Sequence, residues 1–478
     1  MTKNNILTEI LGRIKPTAHE QQRMHKVADQ IISLVDQAAA GSGLPDVSGA
    51  LVGSAARGTW ISGEHDLDIF IMFPEETSSE ELKTMGLRIA RQVASNADRF
   101  EERYAEHPYI HAYFGDFEVD LVPCFRVGSA AHIKSAVDRT PFHNLFILER
   151  IKGLEDEVLL LKQFMKGAGV YGSDLRTGGF SGYLAELLII HYGTFAGVLE
   201  AADRWKPGIT IDIMEHGDRK HTGPLVMVDP TDPGRNVAAA LTLDRFAGFI
   251  DRARQYLVPS VIEPLEQFLP GMLEQFFPSQ EAPMSDAEFD FITGTRGTSL
   301  VAVVFDRPDV VEDVLYPQLF MLHGSITELL SRYGFQVLNS DVWAGDGEAA
   351  VVLEMEVQQL PPVKKHLGPP VWEKSHAGSF KLKYLQNKGL SEVYIEKGRY
   401  VVDVHRKYTD VAELLRNELH TCRLGKHVGK NIQTGFKVLQ GRKLLEIDYQ
   451  RFREFLTGFF HLNAGQYLNA GQYLNAGQ

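Results

Sequence analysis

Nine residues constrain this chain more than any others. In DLDIFIMFP (66–74) the residues alternate until Pro74 ends the run, which predicts a strand with Leu67, Ile69 and Ile71 facing a core. Asp66 and Asp68 then share the other face. Two adjacent carboxylates repel and packing gives no reason for them, but they suit a hard, oxygen-preferring cation such as Mg²⁺. Upstream, LVGSAARGTW (51–60) puts Gly53-Ser54 between an apolar strand and a short helical segment. Such a turn lets backbone N–H groups and the Ser54 hydroxyl approach a phosphate, with Arg57 one turn on to neutralise it.

A third carboxylate fits the same scheme. In FEVDLVPC (117–124), Phe117, Val119 and Leu121 form one face and Glu118 with Asp120 the other, so a neighbouring strand brings Asp120 toward Asp66 and Asp68. Three carboxylates holding two cations are what in-line nucleotidyl transfer uses. Solvated strand faces are the competing reading, and the Gly-Ser turn upstream argues against it.

The first 125 or so residues read as α+β. Thr17 to Ala39 carries Met24, Val27, Ile31, Ile32 and Val35 at helical spacing, and 78–96 reads as a second helix opening at Ser79. Residues 109–125 read as two strands hinged at Gly115-Asp116. From Pro141 to Ile250 the pattern is mainly helical, with helices over Leu154–Met165 and Gly182–Phe195 around a glycine-rich loop, and a turn-rich interruption at 226–241. Beyond Tyr256, alternating runs (Val301–Phe305, Ala350–Val357, Val393–Val404) mix with helices such as Asp410–His420. LNAGQ recurs three times in the last 17 residues, a period too short for a solenoid, and reads as a low-complexity, disordered tail without function.

At 478 residues, 44% hydrophobic and 23% charged, the chain has the composition of a globular protein with several domains. Only Cys124 and Cys422 are present, so neither a disulfide framework nor a structural zinc site is expected, and a reducing cytoplasm is the natural home. The N-terminus has no signal-peptide pattern, and the most apolar stretch (181–199) is interrupted by Glu186 and His191.

Gly-Ser, a helical turn, Asp-x-Asp on a strand and a later lone Asp together resemble the DNA polymerase β-like nucleotidyltransferase superfamily. The blocks GSAARGTW, DLDIFIMFPEE, RYAEHPYIHAYF, VDLVPCF, IKSAVDRTPFH, GGFSGYLAELLI and DPGRNVAAAL, in that order, are similar to the archaeal, class I CCA-adding enzymes. The resemblance implies an α+β multidomain architecture. A nucleotidyltransferase head would span 1–139, a helical neck 140–255, a mixed α/β body and tail 256–460, and the repeat 461–478. It implies untemplated addition of C, C and A to the tRNA 3′ end from CTP and ATP, with Mg²⁺, by a homodimer. Residue by residue, the metal-binding carboxylates fall on Asp66, Asp68 and Asp120, and the nucleotide contacts on Ser54, Arg57, Thr140, His143, Lys162, Tyr171 and Arg235. Asp66 stands where some relatives have Glu, which a strand sitting closer to the metal would accommodate.

Two competitors remain open at this stage: another RNA nucleotidyltransferase of poly(A) or oligoadenylate type, and a catalytically inactive RNA-binding scaffold. The overall charge of −13 argues against a polyanionic partner, but its distribution does not. Residues 364–443 hold 17 lysines and arginines against 7 aspartates and glutamates. Together with Trp372, Tyr384, Tyr394, Tyr400 and Tyr408, this stretch is expected to offer an RNA-binding face.

Overall fold

The computed structural model describes residues 3–104, 108–217, 221–257, 273, 275–278, 283–385, 389–448 and 450–460; the LNAGQ repeat lies outside them. The chain divides into two compact units, Met1–Ser279 and Gln280–Gln478.

The first unit opens with helices α1 (Lys3–Ile14) and α2 (Ala18–Gly41). The α2 start is a capping box: Thr17 Oγ1 accepts from the Glu20 amide while the Glu20 carboxylate accepts from the Thr17 amide. Strand β1 (Ser48–Val52) runs straight into the short helix α3 (Gly53–Arg57), and β2 (Asp66–Pro74) and α4 (Ser79–Ala94) follow. The cap of α4 is Ser78, one residue before the sequence-based start, because Glu81 is then at the position that closes the reciprocal box. Strands β3 (Arg99–Tyr104), β4 (Pro108–Phe114) and β5 (Phe117–Arg126) complete a five-stranded sheet of order β1-β2-β5-β4-β3. Only β2 and β5 run parallel within it, since α4, β3 and β4 carry the chain over between them.

Alternation sorts the two faces of this sheet. Leu67, Ile69, Ile71, Phe73, Val119 and Leu121 are buried against Met24, Ile31 and Val35 of α2 and Leu82, Ile89 and Val93 of α4. Gly86 lets α4 settle onto β5, since a Cβ there would lie 2.6 Å from the Pro123 ring. The other face carries Asp66, Asp68 and Asp120.

A second core lies in the helices α5 (Thr140–Arg150), α6 (Glu155–Gly167), α7 (Gly182–Tyr192), α8 (Phe195–Ala202) and α9 (Leu243–Leu257), joined by Ile6, Ile10 and Ile14 of α1. Phe164 anchors it, with the rings of Phe195, Phe249, Tyr256 and Phe276 at 5.4–6.3 Å. The apolar run expected as one helix over 182–195 is two helices, bent by 92°. Gly193, at φ +82°, ends the first, and the Thr194 side chain caps the second. No single helix among the described residues is long and apolar enough to cross a membrane.

The second unit is built on a four-stranded antiparallel sheet of order β14-β8-β10-β9, formed by β8 (Ser299–Asp306), β9 (Val337–Ala344), β10 (Glu348–Met355) and β14 (Lys437–Gln440). Helices cover both faces, so β8 is apolar at nearly every position. Val301, Val303 and Phe305 enter the core under helices 312–333 and 411–418, while Leu300, Ala302 and Val304 face helices 286–296 and 451–459. A smaller sheet of order β11-β13-β12 comprises β11 (Val363–Pro370), β12 (Tyr394–Glu396) and β13 (Arg399–His405). The run expected over Val393–Val404 is therefore a hairpin, turned at Lys397 and Gly398, both at positive φ.

Candidate active site

The site begins with register. In the parallel pair β2–β5, Asp66 stands beside Glu118 and Asp68 beside Asp120, so the alternation within each strand puts four carboxylates on one sheet face. Asp68 is pushed up to about 6 by burial first and then by Asp120, with Arg57 opposing. Asp66 is also raised, by burial and by Glu118 and Asp120. Gly53 lies directly against Asp68. Its φ is +76°, and a Cβ there would come within 2.0 Å of Asp68 Oδ2, so the turn after β1 forms a cradle for that carboxylate.

A cleft of about 460 Å³ opens over this floor and is lined by Gly53, Arg57, Asp68, Asp120, Thr140, His143, Tyr183 and Arg235, among others. Six of the ten residues expected from the sequence therefore face one cavity. Ser54 is the second residue of α3, and Asp66 shares the sheet face with Asp68 one pair away. Lys162 and Tyr171 stand behind the wall: a Cβ on Gly182 would be 3.0 Å from the Tyr171 hydroxyl and 3.5 Å from Lys162 Nζ, next to the cleft residue Ser181.

Lys162 is buried and donates to the Thr59 carbonyl at 2.8 Å. Burial pushes it down to about 8, against the pull of Glu186 3.9 Å away. Glu186 is fully buried in α7 and accepts from Arg57 Nε at 3.0 Å and from the Thr59 hydroxyl. Burial raises the Glu186 carboxyl, but Arg57, Lys162 and Thr59 outweigh it and hold it below its ordinary value. Arg57 also donates to Asn144 Oδ1 at 3.2 Å. The arginine of the Gly-Ser motif thus reaches the cleft from a fixed position.

On the opposite wall, Asp229 is completely buried and its Oδ2 accepts from His143 Nε2 at 2.8 Å and Arg235 Nη1 at 2.9 Å. Burial raises this carboxyl, yet the hydrogen bonds and the His143 charge hold it well below the usual carboxylate range. His143 stacks on Tyr183, with ring centroids 4.2 Å apart. Behind Asp120, its strand partner His111 on β4 donates Nδ1–H to Asp120 Oδ1 at 2.6 Å. Glu186, Asp229 and His111 are the functional side chains that motif reasoning misses. The available signal was a charged or polar residue inside an apolar helix, a tight turn or a strand.

Three family descriptions match the sequence in chain order: nucleotidyltransferase domain over 39–143, tRNA nucleotidyltransferase, second domain, over 156–265, and CCA-adding enzyme, C-terminal domain, over 296–441. The CCA-adding enzyme of Methanosarcina barkeri is 50% identical over 447 residues, covering 94% of this chain and 96% of that protein. The chain belongs to the CCA-adding enzymes. The enzyme of Methanosarcina mazei is 51% identical over 447 residues (94% and 96% covered), and that of Methanoregula boonei 42% over 451 (94% of each). As a CCA-adding enzyme the chain is a tRNA nucleotidyltransferase acting on tRNA and nucleotides, in a superfamily that uses divalent metal.

The C-terminal match includes the basic stretch. Here the aromatics divide: Tyr400 and Tyr408 are buried, whereas Trp372 is 70% exposed. Lys381 lies over the Tyr400 ring at 4.6 Å, on a helix (Lys374–Tyr384) that leaves Leu382 and Leu385 in solvent. Of the five aromatics expected on an RNA face, Trp372 is exposed, Tyr384 and Tyr394 are partly exposed, and Tyr400 and Tyr408 are buried and serve packing.

Proposed function

We propose that this CCA-adding enzyme extends tRNA 3′ ends by C, C and A from CTP and ATP, without a nucleic-acid template, with Mg²⁺ held by Asp66, Asp68 and Asp120. The observation that carries the reading is the lateral pairing of Asp68 with Asp120 on the floor of a cleft whose walls present Arg57, His143 and Arg235. The donor set fits the ion: hard carboxylate oxygens, partly buried, with mutual repulsion that a divalent cation relieves, and a glycine cradle that seats the Asp68 carboxylate. Among the described residues no group of three His, Cys, Asp or Glu side chains is placed to hold a metal ion, so the three-carboxylate assignment is supported by the strand register and the family resemblance. When bound, Mg²⁺ supplies charge that stabilises the attacking and leaving oxygens of an in-line displacement.

The chain's own residues do the rest. Asp120, one oxygen committed to His111, turns the other toward the incoming 3′-hydroxyl and, with the ion it would help hold, lowers that hydroxyl's proton affinity, so that the proton is released to solvent as the oxygen attacks the α-phosphate and the bond to pyrophosphate breaks. Ser54 and Arg57 receive the triphosphate at the Gly-Ser turn, and Thr140 and His143 contact it from α5. Arg235, with a planar fork of donors, reads the base edge, where a wrong base leaves polar groups unmet. Lys162 and Tyr171 support the wall behind. Pyrophosphate leaves from the same cationic pocket.

In the second unit, Trp372 with Lys364, Lys365, Lys381 and Lys383 forms the tRNA contact. Family resemblance supports a homodimer and the head, neck, body and tail division, and the two-cysteine composition supports a cytoplasmic setting. The test uses the purified full chain with Mg²⁺ and labelled CTP or ATP, offered tRNA ending before C, before CC or after CCA. Completion to CCA followed by arrest is expected; a long tail grown on a complete end would overturn the reading.

A further inference from the structure

We infer that Asp229 is a positioning residue that binds His143 and Arg235 into one nucleotide-holding unit. The inference rests on the cleft being the nucleotide site. Both side chains line that cleft, yet they come from elements 92 residues apart, α5 and the turn after β7 (Leu225–Met227). They meet on a single oxygen of a carboxylate with no exposed surface. The other oxygen is saturated by the turn itself, accepting from the Thr231 amide and hydroxyl, both at 2.9 Å, and from the Asp232 amide at 3.3 Å. The backbone closes the same turn, with Asp229 donating to the Arg235 carbonyl at 3.0 Å and Arg235 to that of Asp232 at 2.9 Å.

The division of labour has a chemical consequence. One oxygen fixes the carboxylate to the backbone, so the other presents a fixed anion, and each donor, the His143 Nε2–H and the Arg235 guanidinium, is aimed by where that anion sits. Tyr183 under the His143 ring removes the remaining freedom of the imidazole. Losing His143 leaves Arg235 as the remaining side-chain donor to Oδ2, and losing Arg235 leaves His143. The two residues therefore act on a bound nucleotide jointly, even though they do not hydrogen-bond each other.

The test reads equilibrium binding of CTP and of ATP to the full chain in the absence of tRNA, for His143→Ala, Arg235→Ala, the double variant, and each in an Asp229→Asn background. Asparagine keeps the turn-side acceptor and replaces the shared oxygen with an amide. The double variant is expected to fall short of the product of the single losses by about threefold or more, and the shortfall to vanish with Asp229→Asn. Additive losses in the parent, or an unchanged shortfall with Asp229→Asn, would overturn the inference. If Asp229→Asn does not fold, the cycle in the parent background decides. Because no turnover is read, failure of CCA addition itself, seen with the unsubstituted chain and tRNA, stays a separate result.

Discussion

Gly53→Ala isolates the contact on which the site's geometry turns. Two costs are separable. An alanine at φ +76° occupies left-handed backbone, a penalty of about 1–2 kcal/mol, which in a unit the size of Met1–Ser279 lowers the unfolding midpoint by roughly 2–3 °C. The second cost falls on chemistry: the new Cβ would sit 2.0 Å from Asp68 Oδ2 and 3.0 Å from its Cγ, so the carboxylate oxygen must retreat by more than about 1 Å to reach van der Waals distance. A displacement of that size in a reacting constellation costs on the order of 100-fold in rate. Gly58→Ala separates the two effects. Gly58 has φ +68°, but nothing lies within 4 Å of its added Cβ. It should show the same thermal loss with kcat within about threefold of the parent. The assay is initial-rate incorporation of labelled CTP into tRNA ending before CC, beside thermal unfolding of each variant. If Gly53→Ala loses stability but keeps kcat within about threefold of Gly58→Ala, the cradle does not position Asp68 and the reasoning fails.

Other consequences follow from the same structure. Glu186→Gln removes the carboxylate that compensates buried Arg57 and Lys162, and urea unfolding should show a loss of about 3 kcal/mol, part of it restored by adding Lys162→Met. Lys162 itself has its pKa lowered from 10.5 to about 8 on folding. Between those values the unfolded chain binds the extra proton, so this residue makes stability rise as pH climbs from about 8 to 10.5. Denaturation across that window should show the rise in the parent and its loss in Lys162→Met, a difference on the order of 3 kcal/mol. Lys381→Glu combined with Lys383→Glu should weaken tRNA binding and flatten its dependence on salt, by about one unit of slope for each phosphate no longer neutralised, in filter binding from 50 to 200 mM salt. Trp372→Ala should weaken binding with the slope unchanged.

The parts of the site legible in the sequence are those whose signal is local. Period-two alternation is enough to set Asp66 with Asp68, and Glu118 with Asp120, on polar faces. That β2 and β5 are neighbours in register is a property of the crossover through α4, β3 and β4, which no single segment encodes. The buried partners fail for a related reason. Glu186 reads as a break in an apolar stretch, Asp229 as one residue of a proline-rich turn, and His111 as one member of a strand, because what each answers lies 129, 86 and 9 residues away. A fully buried charge announces that a partner exists without saying where. Helix boundaries follow the same logic: Thr17 and Glu20 state the α2 start within four residues, whereas the bend at Gly193 shows only once Thr194 is recognised as a cap.

These hidden acids change how the cleft is understood. A triphosphate site could present mobile lysines that collapse onto the ligand and lose rotamer freedom on binding. Here the principal donors arrive already ordered: Arg57 by Glu186 and Asn144, and His143 with Arg235 by Asp229. Each acid neutralises part of the charge it positions, which weakens attraction at long range. In return the donors need no rearrangement when negative charge builds on the phosphates, and fixed dipoles aimed at developing charge favour the transition state over the bound substrate. The two carboxylates of the floor obey the inverse rule, since Asp68 is held where burial and Asp120 make its own charge unfavourable. The walls are thus satisfied without a ligand, whereas Asp68 and Asp120 repel on the floor, and under the proposed function that repulsion is what a cation would relieve.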